Sequence, residues 1–178
     1  PEGGIRNLLN YTEQFDNGYW SRANSTVTAN ATTAPDGTAT ADKFIATSAN
    51  SDHSLKRGVS VTGCVYSVYA KAGEYDKFML WLRLSSKGYG FNLTSGTTFS
   101  VGGITDTTSN GIEDVGNGWY RCWIYVSDAV NRADIYLLNS TTYSNFAGNN
   151  SDGIYLWGAQ LEEATEASNY QKRVTDID

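Results

Sequence analysis

Residues 114–129, "DVGNGWYRCWIYVSDA", carry the alternation that decides the fold. One set of alternate positions is mainly apolar: Tyr120, Cys122, Ile124 and Val126. The set between them is aromatic or cationic: Trp119, Arg121, Trp123 and Tyr125. Successive side chains of a β-strand point to opposite faces of its sheet. The stretch therefore predicts a strand whose apolar set faces a core and whose aromatic set faces outward.

Two other stretches alternate in the same way. In "CVYSVYAKA", residues 64–72, the predicted core positions are Cys64, Tyr66, Val68 and Ala70. In "KFMLWLRLSS", residues 77–86, they are Phe78, Leu80, Leu82 and Leu84. Tyr69, Trp81 and Arg83 then fall on outward faces. Half-buried strands with this pattern are typical of antiparallel sheets.

Turn signals separate the predicted strands. They lie at residues 34–38, 72–76, 94–98, 116–118 and 147–153. Short strands at such spacing predict an antiparallel sandwich. The only helix that the pattern allows is a turn or so at residues 11–19.

Length and charge limit the classes of protein. A chain of 178 residues suits a single domain, predicted over 1–178 with its core at about 7–170. A polar, strand-free piece beginning at Glu162 is predicted to end in a mobile tail. The net charge of −6, without any basic run, argues against nucleic acid or an anionic membrane as a partner. No apolar stretch approaches the roughly 18 residues that a membrane span requires.

Residues that could carry catalysis are few. Cys64 and Cys122 are predicted to be buried thiols, with a disulfide bond between them left open. One histidine, His53, is a poor basis for a zinc site or a catalytic triad. A glycosidase needs two carboxylates roughly 5–10 Å apart. The acidic residues fall mostly in predicted turns, and Asp134 is the one expected on a strand, so we predict that the protein is not an enzyme.

Five segments occur in an order that resembles a known family. They are "NLLNYTEQFDNGYW" (7–20), "VTANATTAPDGTATADKF" (27–44), "YSVYAKAGE" (66–74), "VGNGWYRCWI" (115–124) and "GIYLWGAQLEE" (153–163), followed by Tyr170. Together they resemble the jelly-roll domains of bacteriophage virion proteins such as tail fibres. Those domains are similar to carbohydrate-binding modules of bacterial glycanases. The resemblance implies an all-β jelly-roll sandwich of two antiparallel sheets, used without catalysis for adhesion or virion assembly.

The resemblance also implies a place for a structural calcium ion. Many such modules hold Ca²⁺ between the beginning of the chain and the last strand. The matching residues here are Glu13, Gln160 and Glu162. Gln160 stands where those modules more often have aspartate, which reduces the charge available to the ion. A hydrogen bond between Glu13 and Gln160 is the alternative, and no other cofactor is expected.

The outward aromatic and cationic residues are the predicted glycan-binding site. They are Tyr69, Trp81, Arg83, Arg121 and Trp123. Aromatic rings stack on the apolar faces of sugars, while guanidinium groups donate to their oxygens. These residues form one groove only if their strands share one sheet. The alternative is that a loop or a neighbouring subunit covers them. Trp119 is predicted to plug the end of the sandwich.

Three functions remain open at this point. The first is a virion adhesin, the trimeric end of a phage tail fibre, binding bacterial surface polysaccharide or lipopolysaccharide. The second is a structural virion protein, in capsid decoration or fibre assembly, contacting other virion subunits and no glycan. The third is an accessory module of a secreted polysaccharide-degrading enzyme.

Overall fold

The computed structural model describes residues 6–174. Within that range the regular secondary structure is β-strand and no residue is helical. Within that range no helix is long and apolar enough to cross a membrane. The strands in chain order are β1 (Ser21–Ala23), β2 (Ser25–Thr32), β3 (Ala41–Ala46), β4 (Asn50–Ser51), β5 (Ser54–Lys71), β6 (Lys77–Arg83), β7 (Lys87–Asn92), β8 (Thr97–Phe99), β9 (Ser109–Gly116), β10 (Trp119–Leu138), β11 (Phe146–Ala147) and β12 (Gly153–Glu162). The all-β prediction is confirmed.

Two long strands connect the layers of the sandwich. β5 and β10 pair with each other antiparallel over most of their length, and their register shifts between Val126 and Ala129. A bulge of this kind bends and twists a strand. Each long strand therefore gives one half to each of two layers.

Layer A consists of β2, β3, β12, residues 64–71 of β5, residues 119–126 of β10, and β9. Layer B consists of β1, residues 54–62 of β5, residues 129–138 of β10, β6, β7 and β8. All pairings between these strands are antiparallel. The short strands β4 and β11 form a separate pair. The architecture is an antiparallel β-sandwich of the jelly-roll type, as predicted.

The main core lies between the layers and contains most of the predicted apolar sets. Its members from the three alternating stretches are Cys64, Tyr66, Val68, Ala70, Phe78, Leu80, Leu82, Cys122, Ile124 and Val126. Tyr120 is partly buried and packs against this cluster. The prediction is wrong at Leu84, which is 61% exposed. β6 ends one residue earlier, and Leu84 has a φ of 80°, so it lies in a turn.

The two cysteines are free and buried, as predicted. Cys64 pairs with Val126 and Cys122 pairs with Val68, so the two thiols are four register positions apart. At about 3.3 Å per residue that separation far exceeds the Cα distance of a disulfide bond. Burial raises the pKa of Cys64 to about 12 and raises that of Cys122 as well, so both thiols act as small apolar groups.

The segment before β1 is not helical. Three successive tight turns replace the helical turn expected at residues 11–19, with the amides of Gln14, Asn17 and Trp20 each donating to a carbonyl three residues earlier. Each predicted turn signal overlaps a connection between strands, although residues 97 and 98 of the third signal belong to β8. The predicted strand-free piece begins one residue later than expected, because Glu162 still belongs to β12; residues 163–174 contain no strand. The end of the expected mobile tail, residues 175–178, lies outside the described residues.

Candidate functional site

The five predicted glycan-binding residues lie on two opposite surfaces. Arg121 pairs with Tyr69, and Trp123 pairs with Ser67, all on the outer face of layer A. Trp81 is on β6 of layer B, where it pairs with Asp134, and Arg83 follows two residues later on the same face. The single groove expected from the sequence is therefore not formed, because the bulge in β10 separates the two groups.

Part of the outer face of layer A is closed by the chain itself. Trp119 is 1% exposed and its indole nitrogen donates to the carbonyl of Thr33 at 3.1 Å, so its role is structural, as predicted. It packs in a cluster on this outer face, however, and not in the core between the layers. The ring of Tyr69 packs edge-on against Trp157 and Tyr170, at centroid distances of 5.3 and 6.0 Å. Tyr69 therefore packs against a second, smaller buried cluster on this face, which consists of Ala34, Ala41, Trp119 and Trp157.

The cover over Tyr69 is the C-terminal segment (residues 163–174). The Tyr170 hydroxyl shares a hydrogen bond with Thr12 Oγ1 at 2.7 Å and donates to Glu13 Oε2 at 2.9 Å. The backbone amides of Thr12 and Arg173 take part in further bonds between the beginning and the end of the chain. The described part of the predicted tail is therefore fixed to the sandwich.

The candidate calcium ligands are used to hold this segment. Glu13 accepts from Tyr170 and lies 3.6 Å from the ammonium group of Lys172. Gln160 accepts from the amide of Gln171 at 2.7 Å, and its own amide donates to two carbonyls of the segment. Glu162 accepts from the amide and hydroxyl of Ser168. In residues 6–174 no group of three or more His, Cys, Asp or Glu side chains is placed to hold a metal ion. The three side chains hold the C-terminal segment, and the hydrogen-bond partners of Gln160 lie in that segment and not at Glu13.

Beyond the covered part, a cleft of about 210 Å³ opens on the outer face of layer A. We call it the Trp123 cleft, and its lining residues are Glu113, Arg121, Trp123, Glu166 and Ala167. β9 and β10 bring Glu113 directly opposite Arg121. The C-terminal segment contributes the opposite wall. Two of the five predicted site residues thus line one small concave site.

The indole of Trp123 rests on the backbone of β9. Gly111 is its register partner, and a Cβ atom placed there would lie 2.3 Å from the indole Cζ2. A side chain at position 111 would therefore displace the ring. The glycine holds the indole flat against the sheet while leaving it partly exposed.

Arg121 is held beside the indole. Its Nη2 donates to Ser67 Oγ at 3.4 Å, and its guanidinium carbon lies 5.4 Å from the centre of the Tyr69 ring. Its Nε is buried and has no hydrogen-bond acceptor among residues 6–174. The guanidinium group consequently keeps donors that protein acceptors do not saturate.

The outer face of layer B carries a second cationic group, which we call the Arg83 patch: Lys56, Trp81, Arg83 and Arg132. Arg132 pairs with Arg83, and Asp134 pairs with both Lys56 and Trp81. The two apolar neighbours Met79 and Tyr136 are covered by Val101 and residues around it. The patch lies at the uncovered end of this face.

Asp134 anchors the patch. Its carboxylate is fully buried, accepts from Nε and Nη2 of Arg132, each at 2.8 Å, and accepts from the hydroxyl of Tyr136 at 3.1 Å. Desolvation raises the pKa of Asp134, although the bonds from Arg132 and Tyr136 oppose that shift. The predicted strand position of this aspartate is confirmed, but it is not the only strand carboxylate: Asp42 lies in β3, Glu113 and Asp114 in β9, and Glu162 in β12.

His53 has a structural environment. Its ring is fully buried and packs against Phe146, with the centroids 4.6 Å apart. Nδ1 lies 2.5 Å from the carbonyl oxygen of Asn24, and Nε2 lies 2.7 Å from that of Phe146. The imidazole thereby connects the β1–β2 turn to β11.

Comparisons with known proteins do not identify a family for this chain. No family model matches this sequence, and no curated protein matches it. Among solved structures, the chain is similar to the enzymatically active domain of tailspike protein 4 of bacteriophage CBA120, with a TM-score of 0.49 and 14% identity. That match covers 89% of this chain but 21% of the tailspike chain. At this level of similarity the match carries no inference about function.

Proposed function

We propose that this protein is a non-catalytic module of a phage virion that binds a glycan of the bacterial surface. The Trp123 cleft is the observation that carries the proposal. A partly exposed indole, a guanidinium group and two carboxylates face the same small space. Sites that combine an aromatic surface with a few convergent polar groups are typical of small-ligand binding.

Each group has a defined part in sugar recognition. The apolar C–H face of a sugar ring stacks on the exposed side of Trp123, because the other side rests on Gly111. Arg121 donates to ring or hydroxyl oxygens, and charge-assisted bonds of this kind are stronger than neutral ones. Glu113 and Glu166 accept from sugar hydroxyls. The cleft is smaller than the roughly 300–1,000 Å³ of drug-sized sites, which suits one sugar unit of a longer chain.

The absence of catalysis is part of the proposal. A glycosidase needs a carboxylic acid whose pKa is raised so that it can protonate the leaving group. Among residues 6–174, Asp42 and Asp134 have raised pKa values, but both are buried and lie outside the cleft. Stacking and hydrogen bonding require no cofactor, so binding is expected without added metal.

The virion setting rests on the resemblance of five sequence segments to phage jelly-roll domains. We assign the module to the end of a tail fibre, where bacterial polysaccharide or lipopolysaccharide is the partner and other virion subunits are neighbours. A trimer would offer three equivalent clefts. Simultaneous contacts then turn a weak single-site affinity into firm attachment.

An array of bacterial surface glycans tests the proposal. Trp123→Ala should lower the affinity for the bound glycan at least about tenfold, since stacking on an aromatic ring contributes on the order of 1.4 kcal/mol or more. Tyr143→Ala is the matched control, because Tyr143 is an exposed aromatic residue outside the cleft. Unchanged binding by Trp123→Ala would refute the cleft as the site.

Two further outcomes separate the alternative functions. New reducing ends after incubation with the bound glycan would show an enzyme and refute the non-catalytic assignment. Failure to bind any glycan, together with stoichiometric presence on purified capsids, would favour a capsid decoration protein.

A further inference from the structure

The Arg83 patch holds two guanidinium groups side by side. Arg83 and Arg132 are direct register partners on β6 and β10. Directly opposed residues of an antiparallel pair have Cβ atoms about 4.5–5.5 Å apart, and like charges there are destabilising. Arg132 cannot turn away freely, because both Nε and Nη2 donate to Asp134. The sheet therefore keeps this repulsion in place.

The positive charge of the patch is not balanced by nearby carboxylates. Asp134 is the only acidic group bound to it within residues 6–174, and Arg132 and Tyr136 already occupy its oxygens. Arg83 is exposed and has no ion pair or hydrogen bond through its side chain in that range. The ammonium group of Lys56 lies over the ring of Tyr136, 5.6 Å from its centre. Three cations thus surround one buried anion on a protein whose net charge is −6.

An aromatic surface borders these cations. Trp81 is partly exposed, and the guanidinium carbon of Arg132 lies 6.0 Å from the centre of its ring. Its Cδ1 would be 2.8 Å from a Cβ atom at Gly88, so the indole lies close to the backbone of β7. Tyr136 packs edge-on against it at 6.3 Å. These contacts hold Trp81 in one orientation.

Open space lies on the other side of Arg132. Gly58 is its register partner on β5, and a Cβ atom at that position would meet no atom within 4 Å. A group bound to Arg83 and Arg132 therefore has room above the strands. The patch combines a fixed indole, unsatisfied guanidinium donors and an unobstructed surface.

We infer that the Arg83 patch is a second binding site, which takes a carboxylate-bearing sugar of an acidic polysaccharide. The carboxylate accepts from the free donors of Arg83 and from Nη1 of Arg132, while the sugar ring lies against Trp81. Arginine is suited to this task because its planar fork matches a carboxylate. The class of ligand rests on the proposed function, but the residues are separate from the Trp123 cleft.

Oligogalacturonate is a suitable probe, and the same oligomer with methyl-esterified carboxylates is its neutral counterpart. Binding of the acidic form, measured by calorimetry, should exceed that of the ester and weaken as salt is added. Arg83→Gln should lower the affinity for the acid about tenfold, because charge-assisted hydrogen bonds are lost. The variant should fold normally, since the Arg83 side chain is exposed and unpaired.

Lys172→Gln is the matched control for charge. It removes one positive charge from an exposed side chain on the C-terminal segment, remote from layer B, and should bind the acid as the original chain does. Equal affinity for the acid and the ester, no binding of either, or unchanged binding by Arg83→Gln would each overturn the inference.

Trp123→Ala distinguishes this inference from the proposed function. If both hold, Trp123→Ala loses the array glycan and keeps the Arg83-dependent binding of oligogalacturonate. If oligogalacturonate binding does not depend on Arg83 but Trp123→Ala still loses the array glycan, the second site is refuted and the cleft is not. If oligogalacturonate binding depends on Arg83 but glycan binding does not depend on Trp123, only the cleft is refuted.

Discussion

The outer faces of layers A and B are each partly covered by other segments of the chain, but the covering segments differ. On layer A, the loop at residues 33–40 and the C-terminal segment cover Trp119 and Tyr69. On layer B, residues around Val101 cover Met79 and Tyr136. In each case one tryptophan and at least one arginine beyond the cover remain accessible. An outward side chain of a sandwich strand becomes a binding surface only where no other segment folds over it.

The largest expected effect of this difference is on the free energy of unfolding, and two tryptophans of β10 test it. Trp119 and Trp123 lie on the same face of β10, but the first is sealed and the second lies in the cleft. Trp119→Ala should lower the free energy of unfolding by about 4 kcal/mol, because it leaves a large cavity and an unpaired Thr33 carbonyl. Trp123→Ala should cost about 1 kcal/mol or less. Urea unfolding measures both, and similar losses would mean that the two rings are equally buried.

The arginines of the two layers should differ in the same way. Arg132→Gln leaves the buried carboxylate of Asp134 without its cation, and we expect a loss of about 3 kcal/mol. Arg121→Gln removes a cation that forms no close ion pair in the described chain and should cost less than about 1 kcal/mol. Thermal unfolding of both variants at equal salt checks the contrast. An Arg132→Gln protein as stable as the original would show that Asp134 needs no cation.

Layers A and B each contain a deeply buried aspartate, and the two are stabilised differently. Asp42 of layer A accepts from the amides of Phe15 and Asn30, at 2.8 and 3.0 Å, whereas Asp134 of layer B accepts from an arginine. Desolvation raises the pKa of Asp42 from 3.8 to about 6 despite these bonds. The folded state therefore retains this proton to higher pH than the unfolded state does. The stability that the protonated Asp42 contributes is fully present below the pKa of this group in the unfolded state. It is lost as the pH rises through about 6.

The expected size of this effect is about 2 kcal/mol between about pH 4 and about pH 7. Asp42→Asn should remove that part of the pH dependence, since the amide oxygen still accepts but does not titrate. Unfolding curves across this range compare the two proteins. A pH dependence that is identical in Asp42→Asn would exclude Asp42 as its origin.

Most of the fold followed from period-two alternation and turn chemistry. Residues such as Ile124 and Leu80 face the core because an apolar set at alternate positions can be buried on one side only. Leu84 departs from the pattern because β6 ends before it. The bend in β10 near residues 127–128 could not be predicted, because a bulge is set by pairing with β5 and not by a distinctive residue type.

The candidate site was less predictable for the same reason. The alternation correctly gave Trp81 and Trp123 as outward residues, but their separation depends on that bend. Glu166 was missed because the C-terminal segment has no periodicity and is placed by contacts distant in sequence. The glycines that seat the indoles, Gly111 and Gly88, could be recognised only once strand register was known.

The smallest expected effect concerns the uncovered end of layer B. Because Arg83 lies directly opposite Arg132, Arg83→Gln should raise the free energy of unfolding by about 0.5 kcal/mol at low salt. Salt screens exposed charges, so the gain should shrink as salt is added. Lys172→Gln should instead lose the weak contact of Lys172 with Glu13 and gain nothing. A variant that is slightly more stable yet binds an acidic sugar more weakly would identify Arg83 as a residue kept for its ligand, whereas a loss of stability would mean that the chain itself pairs this guanidinium group.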